Sequence, residues 1–496
     1  MHMADTKSLA TTRLFSSMPF WLAIVSGVAF VERLLVILFY QPISYNDTPS
    51  YRRLAEAVLQ GFTNYDGTRT PGYPVFLALT GTDQRAWLTQ LLLGFATTLL
   101  LFYIGWKLTD KAWFGAVIGL AHTLNLGQFF FESNLITESL TTFFLVLTMA
   151  GVVLWLRQPK LRRVWLVVLL GLVSSITLLV RPLFVYLPFL LLAFLWLEDR
   201  LSQKTAHQPN EVKPDASQYN DHQYTLRHGI ALMIPVVLLL GGWVGFIRLQ
   251  FNQWSITTMT GYHLVQHTGS FFEYVPDEYA SIRDTYIKYR DAHIAQFGTQ
   301  TNAIWDAIPE MSKVSGYSFY GLSKVLTRIS IQLILHHPWL FIKSAASGWW
   351  MFWRAPVYWS AQALKLPALT GVISTAILLE RMALIVANFV FIFSSLLFAL
   401  AEISAFTRHK PSLLRLRFYN PAQHAFLWML LANIWIASIL QTLLDHGDNP
   451  RFLVPLQSLV VVWVVTFIYQ LLISRQKSLP TTPQSAPISE PSSRPK

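Results

Sequence analysis

Apolar residues in this 496-residue chain come in blocks of about twenty, each bounded by charged or turn-forming residues. A helix of about 20 apolar residues matches the hydrocarbon thickness of a bilayer, where a backbone amide finds no water to bond. Only helices and closed barrels satisfy that constraint, and unbroken runs such as Val164–Val180 suit helices. Composition agrees, with 53% hydrophobic and 13% charged residues and a mean hydropathy of +0.41. A soluble domain carries about 25% charged residues. The chain reads as an all-α polytopic membrane protein, which excludes a soluble enzyme, a secreted disulfide scaffold and a disordered chain. Cysteine is absent, so disulfides, thiol nucleophiles and Cys-based zinc sites are excluded too.

Ten spans are expected, within a range of ten to twelve: Met18–Tyr40, Arg85–Trp106, Ala112–Phe130, Leu135–Leu156, Val164–Val180, Pro182–Leu197, Gly229–Leu249, Ile373–Leu400, His424–Leu443 and Phe452–Ile473. Basic residues gather in every second connection: Lys107 and Lys111, Arg157 to Arg163, Arg200 to Arg227, Arg408 to Arg417, and from Arg475 onward. Lys7 and Arg13 precede the first span. The short connections on the other side carry only Arg52, Arg53, Arg69, Arg85, Arg181 and Arg451. This bias places both termini in the cytoplasm, and it accounts for the net charge of +12 without nucleic acid. Met1–Ser17 is polar and no cleavable signal is evident.

The organisation that follows is a cytoplasmic N-terminus at 1–17 and a first transmembrane module at 18–249 with an outer loop at 41–84. A second outer region fills 250–372, C-terminal helices fill 373–473, and a disordered cytoplasmic tail fills 474–496. In the first loop Thr48-Pro49 resembles a helix cap followed by proline. Tyr51, Leu54, Ala55, Val58 and Leu59 then make an apolar stripe ended by Gly61, which predicts a short amphipathic helix on the membrane surface. Pro71-Gly72-Tyr73-Pro74 predicts a tight turn. In the second region a helix is expected over Pro276–Phe297, closed by Gly298. Gly316–Trp359 reads as interfacial helices, with an eleventh span as the alternative.

Unusual polar residues collect at the outer helix ends. Asp47 lies in the first loop, Glu132 and Glu138 flank a very short connection, and Arg181 lies between two spans. Asp445, His446, Asp448 and Arg451 share the last outer connection. Charged groups at the hydrocarbon boundary are costly and tend to face a cavity, a partner or a substrate path. Carboxylates and arginines converging there would suit an anionic, partly lipidic substrate. Glu32-Arg33, deep in the first span, reads as a structural pair. No histidine metal site is expected: of His263, His267, His336, His337 and His446 only His263 and His267 stand four apart, and Leu264 follows His263 where a zinc-protease helix has glutamate.

Asp47, Tyr51, Gly61 and the run Arg69-Thr70-Pro71-Gly72-Tyr73-Pro74, taken in order, resemble the start of GT-C fold glycosyltransferases. These include family 39-like enzymes such as protein O-mannosyltransferases and the aminoarabinose transferase that modifies lipid A. Thr137-Glu138-Ser139-Leu140, Arg181-Pro182, and Arg451-Phe452 with Pro455 are similar to later landmarks of that group. Many relatives have adjacent acids in the first loop, where this chain has Asn46-Asp47-Thr48. The resemblance implies a GT-C-like bundle in a bacterial plasma membrane, using a polyprenyl-phosphate-linked sugar donor on the extracytoplasmic face with inversion. The acceptor would be a hydroxyl of a protein, lipid or glycan.

On that reading Asp47 is the expected base toward the acceptor, with Glu138 assisting, because a proton acceptor must lie within hydrogen-bond reach. Arg181 and Arg451 would hold the leaving phosphate. Arg69, Tyr73, Glu132 and His446 complete the expected substrate contacts, and Mg²⁺ or Mn²⁺ is a candidate cofactor. A transporter or lipid flippase would also use many helices with buried charge, but internal repeats and broken midplane helices are expected there. An O-antigen ligase or polymerase is the nearer rival, resting on loop histidines such as His263 or His267.

Overall fold

The computed structural model describes residues 17–158, 162–206, 221–355, 357–408, 421–447 and 449–476. The stretch before Ser17, Lys160, Lys213, Arg415, Asp448 and the tail from Ser478 lie outside these residues. Every regular element among the described residues is helical, apart from a single bridge between Ile43 and Asn134.

The first span, α1 (Met18–Phe39), leads into α2 (Thr48–Leu59) and α3 (Gly72–Thr80). Gly61, at φ +67°, stops the chain after α2 as its position suggests. The expected tight turn at Pro71–Pro74 is instead the beginning of α3. Pro71 takes the cap position and Pro74 falls in the first turn, where a missing N–H breaks no helical bond. Thr48 is not the cap of α2: its hydroxyl accepts from Tyr45 N at 2.7 Å and donates to Leu135 O at 2.9 Å. Asp47 takes the cap position with its side chain turned elsewhere.

Next come α4 (Asp83–Thr109), α5 (Ala112–Thr123), α6 (Leu126–Phe131), α7 (Glu138–Arg157) and α8 (Val164–Val180). The span expected over Ala112–Phe130 is thus two helices, because the Asn125 side chain accepts from Gln128 N at 3.0 Å and caps a new one. The expected span from Leu135 begins only at Glu138. Before it, Ser133 and Leu135 are hydrogen-bonded to Ile43 in the first loop, which brings Glu138 beside that loop.

A 3₁₀ turn, Pro182–Tyr186, precedes α9 (Leu187–Ala206). Then follow α10 (Asp221–Val236) and α11 (Gly242–Phe251), joined through one π-helical stretch just after Pro235. Proline removes an amide from the helical ladder there, which suits the wider turn. The second outer region holds α12 (Thr260–Thr268), α13 (Ala280–Phe297), α14 (Ala303–Ser315), α15 (Phe319–His336) and α16 (Pro338–Phe352). The expected helix ending at Gly298 is α13, and α15 and α16 meet at a 106° bend. The chain finishes with α17 (Thr370–Arg408), α18 (Pro421–Leu444) and α19 (Val454–Gln476).

Among the described residues seven helices are long and apolar enough to cross a membrane: Met18–Phe39, Asp83–Thr109, Glu138–Arg157, Leu226–Phe251, Pro367–Ser404, Pro421–Leu444 and Val454–Ile473, with the bent pair Phe319–His336 and Pro338–Phe352 an eighth if it is one span. The protein is a polytopic helical membrane protein. The other three expected spans are helical but shorter, at Ala112–Thr123, Val164–Val180 and Pro182–Glu198.

Leu145, Met149, Val153, Leu166, Leu170, Leu430, Leu459 and Trp463 centre the main core, which fastens α7 and α8 to α18 and α19. The second outer region has a separate core around Tyr262, Val265, Phe272, Tyr286, Leu322 and Ile329. This gives it a packed interior of its own.

Arg33 and Glu132 form a buried ion pair at 2.6 Å, with Arg33 also donating to Leu91 O, Ala29 O and Thr123 Oγ1. Glu32 accepts from Thr123 rather than pairing with its neighbour. Gly94 makes room for this cluster, since a Cβ there would fall inside the Glu132 carboxylate. Gly94→Ala is therefore expected to cost about 1–3 kcal/mol through overpacking. It should lower the Tm of the detergent-solubilised protein; an unchanged Tm would show that the Arg33–Glu132 pair yields freely.

Candidate active site

Asp47, Arg69, Arg181 and Arg451 line one cavity of about 710 Å³, at the bundle end where α1, α8, α11 and α18 finish. Glu138 lies behind the wall, fully buried at the start of α7. The five groups form a chain of contacts. Arg69 Nη2 donates to Asp47 Oδ1 at 2.7 Å, and Arg451 Nη2 donates to Asp47 Oδ2 at 2.9 Å. Arg451 Nε stands 3.0 Å from Glu138 Oε1, to which Arg181 Nη1 donates at 3.0 Å. Three guanidiniums against two carboxylates leave one positive charge.

Local structure sets each position. Asp47 takes the cap position of α2, yet its carboxylate caps nothing and is left for the arginines. The Arg69 carbonyl accepts from Tyr65 at 3.1 Å, and the preceding turn is closed by Asp66 Oδ1, which accepts from Thr68 N at 2.9 Å. Tyr51 lies under the Arg69 guanidinium at 5.5 Å. At Gly72 any Cβ would meet the backbone of Leu179 and Val180 at 2.5–2.6 Å, so the loop lies directly on the end of α8 that carries Arg181. Phe452 packs under Arg181 at 4.5 Å.

Burial works against charge on Asp47, but Arg69, Arg451 and Arg181 together outweigh it and hold the carboxyl below its ordinary range. It is ionised at neutral pH and a correspondingly feeble base.

The other expected site residues lie elsewhere. Glu132 turns away from the cavity to Arg33. Its substrate contact is thus replaced by a structural pairing, because the rotation of α6 faces it toward α1 and α4. Tyr73 is wholly buried and donates to Gln90 Oε1 at 2.9 Å, supporting Tyr51 edge-on at 4.9 Å. It has no exposed surface with which to touch a substrate. His446 is buried against His267, with ring centroids 5.4 Å apart, and does not line the cavity.

The cavity has further members beyond the expected catalytic and substrate-binding residues; of these, the sequence pointed to Asp445 only as an outer helix-end acid and to His263 only under the ligase reading. His263, Gln266, Asn302 and Trp305 reach it from the second outer region, and Asp445 from the end of α18. His263 Nδ1 lies 3.0 Å from Asp445 Oδ2. Burial raises the Asp445 carboxyl, but His263 more than offsets this, with help from the Gly447 amide, and the net direction is down.

No protein-family model and no curated protein matches the sequence. Among solved structures, the chain is similar to the oligosaccharyltransferase of Archaeoglobus fulgidus, in its crystal structure with zinc and sulfate. The identity is 12% and the TM-score 0.44, over 92% of this chain and 51% of that one. The chain therefore spans about half the length of that structure.

A divalent cation fits these residues poorly. Mg²⁺ and Ca²⁺ sites are built from about six or more oxygens. Among the described residues no group of three or more His, Asp or Glu is placed to hold a metal ion, and both central carboxylates already face arginines. The donor set suits an anion. Guanidinium forks bind phosphate bidentately, and a partly enclosed site strengthens such contacts.

Proposed function

We propose that the protein is an integral membrane glycosyltransferase of the GT-C type. It moves a sugar from a polyprenyl-phosphate donor to an acceptor hydroxyl on the extracytoplasmic face, with inversion. The observation that supports this is the convergence of Arg69, Arg181 and Arg451 on one cavity at the end of a helical membrane bundle. The motif resemblance of the sequence points the same way.

As the bond from the anomeric carbon to phosphate breaks, negative charge grows on the departing phosphate oxygen. Fixed guanidiniums aimed at that oxygen lower the barrier. Asp47 and Glu138 hold them in register, and the lipid chain lies between helices while the sugar occupies the cavity. The acceptor is a protein, lipid or glycan hydroxyl. A flippase reading has less support, because the charges that line the cavity lie at one end of the bundle rather than at its midplane, and the deeper Arg33 is taken up by Glu132.

Asp47→Asn is the direct test. It frees Arg69 and Arg451 from their common anchor and raises the charge of the cluster by one. Sugar transfer from a panel of undecaprenyl-phosphate-linked hexoses and pentoses is expected to be abolished, while the protein still inserts and elutes as a folded species. Full activity in that variant removes Asp47 from the site, and wild-type protein inert on every donor overturns the transferase reading.

A further inference from the structure

The catalysis just described needs a group to take the acceptor proton, and Asp47 is badly placed for it. Each of its oxygens already accepts from a guanidinium, Arg69 on one and Arg451 on the other. A carboxylate stabilised in that way has little affinity for a proton.

Across the cavity stands a better-suited pair. His263, on α12, presents Nδ1 to Asp445 Oδ2 at 3.0 Å, and Asp445 Oδ1 accepts from Gly447 N at 2.9 Å. Both oxygens of Asp445 are thus fixed. A carboxylate held against Nδ1 keeps the proton on that nitrogen and the lone pair on Nε2. Among the described residues Nε2 has no hydrogen-bond partner, and His263 and Asp445 both border the cavity that holds the arginines. The Trp305 ring meets the imidazole edge-on at 5.8 Å and limits its rotation. A pocket wall with a fixed imidazole whose second nitrogen is open fits a proton acceptor, and among the described residues nothing else uses that nitrogen.

We propose that His263 is the general base of the reaction and Asp445 its positioning residue, with the acceptor entering from the side of the second outer region. The proposal rests on the transferase reading above. The acceptor O–H proton passes to His263 Nε2 as the acceptor oxygen bonds to the anomeric carbon. The bond from that carbon to the phosphate oxygen breaks, and its electron pair leaves with the polyprenyl phosphate. Histidinium then returns its proton to water. Asp47 keeps its part in holding the arginines.

The test uses the full chain in lipid nanodiscs and needs no known acceptor, because water serves as a slow one. Hydrolysis of the undecaprenyl-phosphate-linked sugars is followed alongside binding of undecaprenyl phosphate. His263→Ala is expected to lower turnover by about 10²–10⁴-fold, to leave undecaprenyl phosphate binding intact, and to regain turnover with added imidazole. Asp445→Asn should also lower turnover, because it removes the charge that stabilises histidinium.

Wild-type turnover in His263→Ala overturns the proposal, as does a loss that imidazole does not repair. His263→Gln, of similar size, stands in if the alanine variant does not fold, and its undiminished turnover is equally fatal. A wild-type protein that turns over no donor overturns the transferase reading together with this one. Wild-type turnover with an unimpaired histidine variant overturns this one alone.

Discussion

Replacing Arg451 with alanine is expected to lower sugar transfer by about 10²–10³-fold, the usual loss when one fixed donor to a developing oxyanion is removed. Arg451 is the central link of the charged chain, reaching Asp47 with one nitrogen and standing against Glu138 with another. It also lies above the rings of Tyr45 and Phe452. Its loss removes a cation from the proposed phosphate position and takes away the guanidinium that Asp47 and Glu138 share. Binding of undecaprenyl phosphate should weaken more than acceptor use, and Arg181→Ala should show the same bias to a smaller degree. Arg451→Lys should recover little, because an ammonium cannot serve two carboxylates through a planar fork. Titration of undecaprenyl phosphate against the variants reads this directly. Undiminished binding in Arg451→Ala would leave Arg451 as a structural residue only.

The largest stability effect is expected at Glu138. It is fully buried, and its partner Arg181 is nearly so. Breaking one side of a buried pair costs about 3–5 kcal/mol, because the remaining charge keeps its desolvation penalty. Glu138→Ala should thus appear as a large drop in Tm in detergent and in the yield of folded protein. Removing both charges, as Glu138→Leu with Arg181→Met, should restore much of the Tm, since an apolar pair of similar size often serves as well. Transfer should stay lost in the double variant. A Tm unchanged by Glu138→Ala would mean that Arg181 finds another partner and that this pair adds nothing to stability.

Much of this site was legible because helix ends alternate between two sides of a membrane. Once the spans are counted, Asp47, Glu138, Arg181 and Arg451 fall on the same side, and the structure brings them within contact. The surface helix over 48–59 was legible from its stripe and its glycine. Glu132 was not, because which way a residue at a helix end turns depends on rotation against neighbours, and here on a gap left by Gly94. The break at Asn125 was hidden for a related reason: asparagine within an apolar run reads as a tolerated polar residue until its side chain is seen capping. The pairing of His263 with Asp445 spans 182 positions. No spacing rule reaches so far: each residue stands out in its own outer segment, but nothing in the sequence joins the two. It depends on how the second outer region settles on the bundle.

That region has its own apolar interior, distinct from the one that joins the spans. The two halves of the chamber are therefore held by separate apolar interiors, one in the helical bundle and one in the second outer region. Mutations can reshape the wall around Trp305, Gln266 and Asn302, which belongs to the second outer region, without touching the helix ends that carry Arg181 and Arg451. On the proposed function, such a chain can drift in what it decorates while remaining faithful to what it draws from.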